Sequence, residues 1–127
     1  MSRMTVKYTI AAAPLLFLLA LSCSRHGGNV NDPLSAAEID PVLEQSFQSA
    51  DATVRAAVHK IVEETQQNQV AAAFTDMKEL ASMPNLTDEQ RVTAIRAAKT
   101  LGQELQEAAQ KGDQQASETL QSYKASH

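Results

Sequence analysis

From Leu43 to Tyr123 the apolar residues return every three or four positions, and nowhere does a Val/Ile/Thr-rich run alternate with period two. That spacing places one apolar stripe along a 3.6-residue helix and leaves no face for a strand. Leu43, Phe47, Ala50, Val54, Ala57, Val58, Ile61 and Val62 form the first stripe. Val70, Ala73, Phe74, Met77, Leu80 and Ala81 form the second, and Val92, Ile95, Ala98, Leu101, Leu105 and Ala109 the third. Ala116, Leu120 and Tyr123 suit a short last helix. The expected fold class is all-α, a small antiparallel bundle of three to four helices.

Punctuation divides the stripes. Ser35-Ala-Ala-Glu38 has the form of a capping box, and Asp40-Pro41 that of a second helix start, with Asp as N-cap and Pro at the first helical position. The phase of the first stripe never changes, so residues 41–66 read as one helix, or as two if Ser49–Asp51 breaks it. Gln67-Asn68-Gln69 serves as a tight connection and Pro84-Asn85 as a stop. Thr87-Asp-Glu-Gln90 is a second capping box, its acids lying where the helix dipole favours them. Lys111-Gly112 ends the third long helix, and Asp113 caps the last.

The core predicted from these stripes rests on Phe47, Val58, Ile61, Phe74, Met77, Leu80, Ile95 and Leu105. Alanine is abundant, which favours helix and close helix approach but contributes little buried area. Gly102, in the middle of the third helix, reads either as a close-approach point or as a weak spot where the helix bends.

The N-terminus carries a different signal. Arg3 and Lys7 precede a 14-residue apolar run, Tyr8–Leu21, which is followed by Ser22-Cys23-Ser24-Arg25. As a helix the run would reach about 21 Å, short of a hydrocarbon core of about 30 Å. Pro14 near its middle weakens a permanent helix further. A basic start, a short apolar middle and a small residue at the cut site make a secretory signal peptide. Leu19-Ala20-Leu21-Ser22-Cys23 resembles the lipobox of bacterial lipoproteins, over residues 1–23 only. Ala20 departs from it, standing where leucine is commoner. The resemblance implies cleavage between Ser22 and Cys23, a diacylglyceryl group on the Cys23 sulfur and acylation of the freed amine. Ser24 after the cysteine implies export to the outer membrane, facing the periplasm, in a cell that has one. The same segment also fits an ordinary secreted protein cut after Ala20 or Ser22.

The expected organisation is therefore a signal peptide over 1–22, a lipidated Cys23 with a flexible tether to 33, and a single helical domain over 34–127. Residues 24–33 are turn formers with almost no apolar content. Cleavage after Ser22 leaves 105 residues with nine of the 11 basic side chains against 15 acidic ones, moving the net charge from −4 to −6. The remaining Lys and Arg are scattered singly, which argues against a nucleic-acid partner. Cys23 is the only cysteine, so an acylated chain forms no disulfide and must rely on its own core.

Residues able to carry chemistry are few. His59 and Glu63 stand four apart as helical metal ligands can, but with no third ligand nearby they read as a solvated pair beside Lys60–Glu64. Met77 and Met83 read as core filling rather than as a soft-metal site. Glu104 and Glu107, with Glu63 and Glu64, lie among glutamines and read as solvated surface, not as an acid–base pair. No catalytic residue, metal site or cofactor is expected.

Residues 52–84 have the dimensions of a tetratricopeptide-type hairpin and resemble it at Pro84 and at Ala72, twelve residues earlier. Asp76 and Glu79 stand where that family has an aromatic residue and an alanine, and no second copy follows. No binding residue is carried over. The expectation is a lipid-anchored, non-enzymatic helical module of the bacterial envelope, engaging the membrane through its anchor and a protein partner or a second copy of itself. The alternative expectation is a ligand- or metal-binding lipoprotein that delivers cargo to a transporter.

Overall fold

The computed structural model describes Asn29 and residues 31–127. Ser22, Cys23 and the apolar run lie outside the described residues. Among the described residues five helices follow one another: α1 (Ala36–Ser46), α2 (Ala52–Gln66), α3 (Val70–Ser82), α4 (Asp88–Gln110) and α5 (Gln114–Ala125). The class is all-α, and the packing is that of a small bundle. The long α4 is its spine and packs against α1, α3 and α5, while α2 packs against α1 and α3. Among the described residues no helix is long and apolar enough to cross a membrane.

The stretch 41–66 divides into two helices, which brings the number to five. Phe47 ends α1 and is buried, and Ala50 N–H bonds back to the Phe47 carbonyl at 3.1 Å. The Asp51 carboxylate then accepts the Val54 N–H at 2.9 Å and starts α2. Ser49–Asp51 thus lets the chain turn while Phe47 and Val54 both enter the core.

Asp40-Pro41 does not start a helix. The operative start is Ser35, whose N–H and hydroxyl both donate to the Glu38 carboxylate at 2.9 and 2.6 Å. Pro41 lies inside α1. Asp40, freed from capping, accepts a hydrogen bond from the Thr65 hydroxyl and ties α1 to α2.

The remaining punctuation is used as read. Asn68 turns the α2–α3 connection with φ +58°, a left-handed conformation that asparagine tolerates better than most residues. Thr87 and Gln90 form a reciprocal capping box with two 3.1 Å bonds. Gly112 turns with φ +97°, and the Asp113 carboxylate accepts the Ala116 N–H at 3.0 Å.

Seven of the eight residues expected to carry the core are buried; Ile95 is only half-buried, as is Val92. Two other sets of α4 residues are buried instead. One is small: Ala94, Ala97 and Ala98 bury alongside Leu101 and Leu105. The other is polar: Gln90, Thr93, Arg96 and Thr100 are buried one turn apart. Three of these donate to main-chain carbonyls: Gln90 Nε2 to Ser46 at 3.3 Å, Arg96 Nε to Asp32 at 2.7 Å, and Thr100 Oγ1 to Leu34. Buried donors need acceptors, and the carbonyls of α1 and of the segment before it provide them. This polar seam turns α4 so that Val92 and Ile95 sit at its flank.

The seam also reaches the segment ahead of α1. Leu34 is buried and Asp32 is held by Arg96, so docked chain begins ahead of residue 34. Of residues 31–33, read as tether, Asp32 touches α4 through its carbonyl. Burying a leucine contributes about 1.5–3 kcal/mol and each hydrogen bond about 0.5–1.5 kcal/mol. A fragment beginning at Asn29 is therefore expected to be more stable than one beginning at Ser35, by about 2–4 kcal/mol. Urea denaturation of the two fragments measures the difference, and equal midpoints would show that the segment is not part of the fold.

Candidate functional site

Two surface features stand out, a cleft and a cluster of charges, and α3 contributes to both. The cleft lies between α3 and α5 and encloses about 780 Å³. Its floor is Phe74 and Tyr123, whose rings meet edge to face at 5.5 Å and 83°. Its walls carry Lys78, Glu79 and Ala81 from α3, and Glu118, Thr119 and Ser122 from α5. Lys78 Nζ sits 3.0 Å from the Tyr123 hydroxyl and 4.8 Å from the ring centroid. His127 also packs against Tyr123, the ring centroids 4.7 Å apart. Apolar floor and charged rim resemble the make-up of an interaction surface.

Phe74 reaches this position because Gly102 lets it. A Cβ on Gly102 would lie 3.2 Å from Phe74 Cε2, tighter than ordinary contact. Of the two readings of this glycine, close approach is the one the geometry supports: α4 carries no side chain where the aromatic ring lies against it.

The charge cluster joins α2 to α3. Lys60 Nζ stands 2.6 Å from Asp76 Oδ2 and 3.7 Å from Glu64 Oε1. Lys60 is exposed, but Glu64 is only 8% exposed. Glu64 Oε2 is buried without a hydrogen-bond partner, whereas the buried Asp76 Oδ2 faces the Lys60 ammonium. Burial raises the Glu64 carboxyl above its ordinary value. A hydrogen bond to Asp76 and the charge of Asp76 raise it further, and Lys60 pulls it part of the way back. Hydrogen bonding to Asp76, then its charge, raises the Lys60 ammonium, which stays protonated.

Glu64 was expected on a solvated face, and this is a correction. It lies one turn beyond Ile61 at the edge of the stripe, and α3 packs over it. The signal available in the sequence was Asp76, which interrupts the α3 stripe one turn from both Ala73 and Leu80. Across the α2–α3 seam Asp76 meets Lys60. Glu104 is a second departure: it is half-buried, and burial, then the charge of Glu107, raises its carboxyl. Glu63 and Glu107 are exposed, as expected.

The structure does not gather the other candidates. His59 is exposed and lines a shallow cavity of about 170 Å³ with Phe47, Arg55 and Val58, below the usual size of a small-molecule site. Met77 is fully buried and Met83 half-buried against the core, as filling side chains. Among the described residues no group of three or more His, Cys, Asp or Glu is placed to hold a metal ion.

No family model, no curated protein and no solved structure matches this chain.

Proposed function

We propose that the chain is a lipid-anchored helical module of the bacterial envelope, attached through Cys23 and engaging a protein partner or a second copy of itself. The observation that carries this reading is the order of Arg3 and Lys7, the apolar run, Ser22 and Cys23, followed by a folded domain. One acyl chain holds a protein only marginally, whereas two or more anchor it stably. The nine residues from Cys23 to the pinned Asp32 span at most about 30 Å, so the anchor keeps the bundle close to the bilayer surface. The open cleft between α3 and α5 supports the interaction part of the reading. Its open shape suits a side chain or helix of another protein better than an enclosed small molecule.

Expressed in a bacterial host, the wild-type protein is expected to partition into the detergent phase, with a mass that shows signal removal and added acyl chains. Cys23→Ala is expected to lose both the acyl mass and the lipid-driven partitioning. Release of the wild type as a soluble chain of unmodified mass would overturn the proposal.

A further inference from the structure

We propose that the α3–α5 cleft is covered by the same cleft of a second copy, with Lys78 of each chain on Glu118 of the other. This rests on the reading of the chain as an interaction module and names its partner. The cleft sets a half-buried ammonium beside an apolar floor. Lys78 Nζ reaches the Tyr123 hydroxyl at 3.0 Å and lies over its ring. Among the described residues no carboxylate stands within ion-pair distance of it. An ammonium has three donors and bonds most strongly to an ionised acceptor. The occupant of the cleft is therefore one that brings a carboxylate to Lys78.

The opposite wall carries the complementary charge. Glu118 is exposed on α5, and Gln114 Nε2 donates to one of its oxygens at 2.8 Å. Among the described residues no cation pairs with it. A partner of one charge sign would satisfy one wall and be repelled by the other. The same face, turned about a two-fold axis running along the cleft, satisfies both. That rotation lays α3 of one copy over α5 of the next, so one contact is made twice, as in any isologous interface. The remaining wall residues are short, Thr75 and Ser82 on α3 with Thr119 and Ser122 on α5, which lets the helices approach. Closing the cleft removes Phe74, Ala81 and Tyr123 from water.

Net charge opposes the pairing only at a distance. Cleavage at Cys23 leaves the chain at −6. At physiological ionic strength salt screens exposed charges more than about 8 Å apart, whereas partly buried pairs are screened much less. The two effects also predict opposite results for one substitution. Glu118→Lys makes the chain less negative and so reduces general repulsion, yet it places two cations face to face in the proposed dimer.

The test is light scattering of the full chain in detergent micelles over a concentration series, with the detergent mass subtracted. Circular dichroism checks the helix content of each variant. The wild type is expected to pass from monomer to dimer as it is concentrated. Lys78→Glu and Glu118→Lys are each expected to weaken the dimer by about tenfold or more. Both substitutions together are expected to restore it, because each copy again offers both signs. Glu63→Lys, an equal charge change on the exposed face of α2, is expected not to weaken it. A wild type that stays monomeric as it is concentrated overturns the proposal, as does a double variant that folds without recovering the dimer. Where Lys78→Glu costs helix content, the comparison of Glu118→Lys with Glu63→Lys decides, and equal effects overturn the proposal. A monomer that carries the acyl mass refutes this dimer and leaves the anchored reading standing. A soluble, unmodified chain that dimerises does the reverse.

Discussion

Phe74→Ala is expected to unfold the domain or bring it to the edge of unfolding. The ring is 6% exposed and joins three helices, lying against Gly102 of α4 and edge-on to Tyr123 of α5. Truncating a buried phenylalanine costs about 3–5 kcal/mol, against the roughly 5–15 kcal/mol that holds a typical domain together. Alanines line much of α4, so the large side chains around Phe74 carry most of the burial at this seam. The opposing side of the ring is backbone at Gly102, which cannot extend a side chain to refill the space. His59→Ala, on an exposed face, is the control and is expected to leave the denaturation midpoint close to wild type with or without chelator. A mild effect of Phe74→Ala would show that the ring does not hold the seam.

Gly102→Leu is expected to damage the same seam from the other side. The Cβ alone would stand 3.2 Å from Phe74 Cε2 and 3.8 Å from Cδ2, and leucine adds three more carbons in that direction. Overpacking of this kind costs about 1–3 kcal/mol and sometimes more. Gly102→Ala separates the two effects at this position. It gains about 1 kcal/mol of helix propensity and asks the ring to shift by a few tenths of an ångström, so a small net change of either sign is expected. The decisive measurement is the double variant Phe74→Ala/Gly102→Leu. The leucine would occupy the volume the ring vacates, so the pair is expected to be less destabilised than the sum of its members. Strict additivity would show that the two sites do not touch.

The consequences of these changes reach the surface. Phe74 and Tyr123 form the floor of the α3–α5 cleft, so the ring that closes the core also shapes the proposed interaction surface. The Lys60–Asp76 ion pair lies on another flank of α3. One helix therefore connects a core aromatic, an exposed cleft and a charged seam.

Much of the helical framework was legible from local rules alone. Period 3.6 gave the class, and Thr87, Gln90, Gly112 and Asp113 marked boundaries because caps and left-handed turns depend on residues adjacent in the chain. The proposed lipidation signal at Cys23 rests wholly on sequence order. What local rules misjudged were the sites where two segments compete or meet. Ser35 and Asp40-Pro41 both offered a helix start, and the capping geometry at Ser35 prevailed, leaving Asp40 to bind Thr65.

Only the tertiary structure decided which way α4 faces. Hydrophobic spacing placed Ile95 inward with Leu101 and Leu105, yet Gln90, Thr93, Arg96 and Thr100 are more deeply buried than Ile95. A polar side chain is read as solvent-facing until an acceptor is in view, and the acceptors here are main-chain carbonyls up to 66 residues away in the chain. The same reason hid Glu64, whose burial depends on Asp76 and Lys60 converging across a helix–helix seam. Periodicity reports which residues prefer to leave water. Partners far along the chain decide which polar groups can afford to follow.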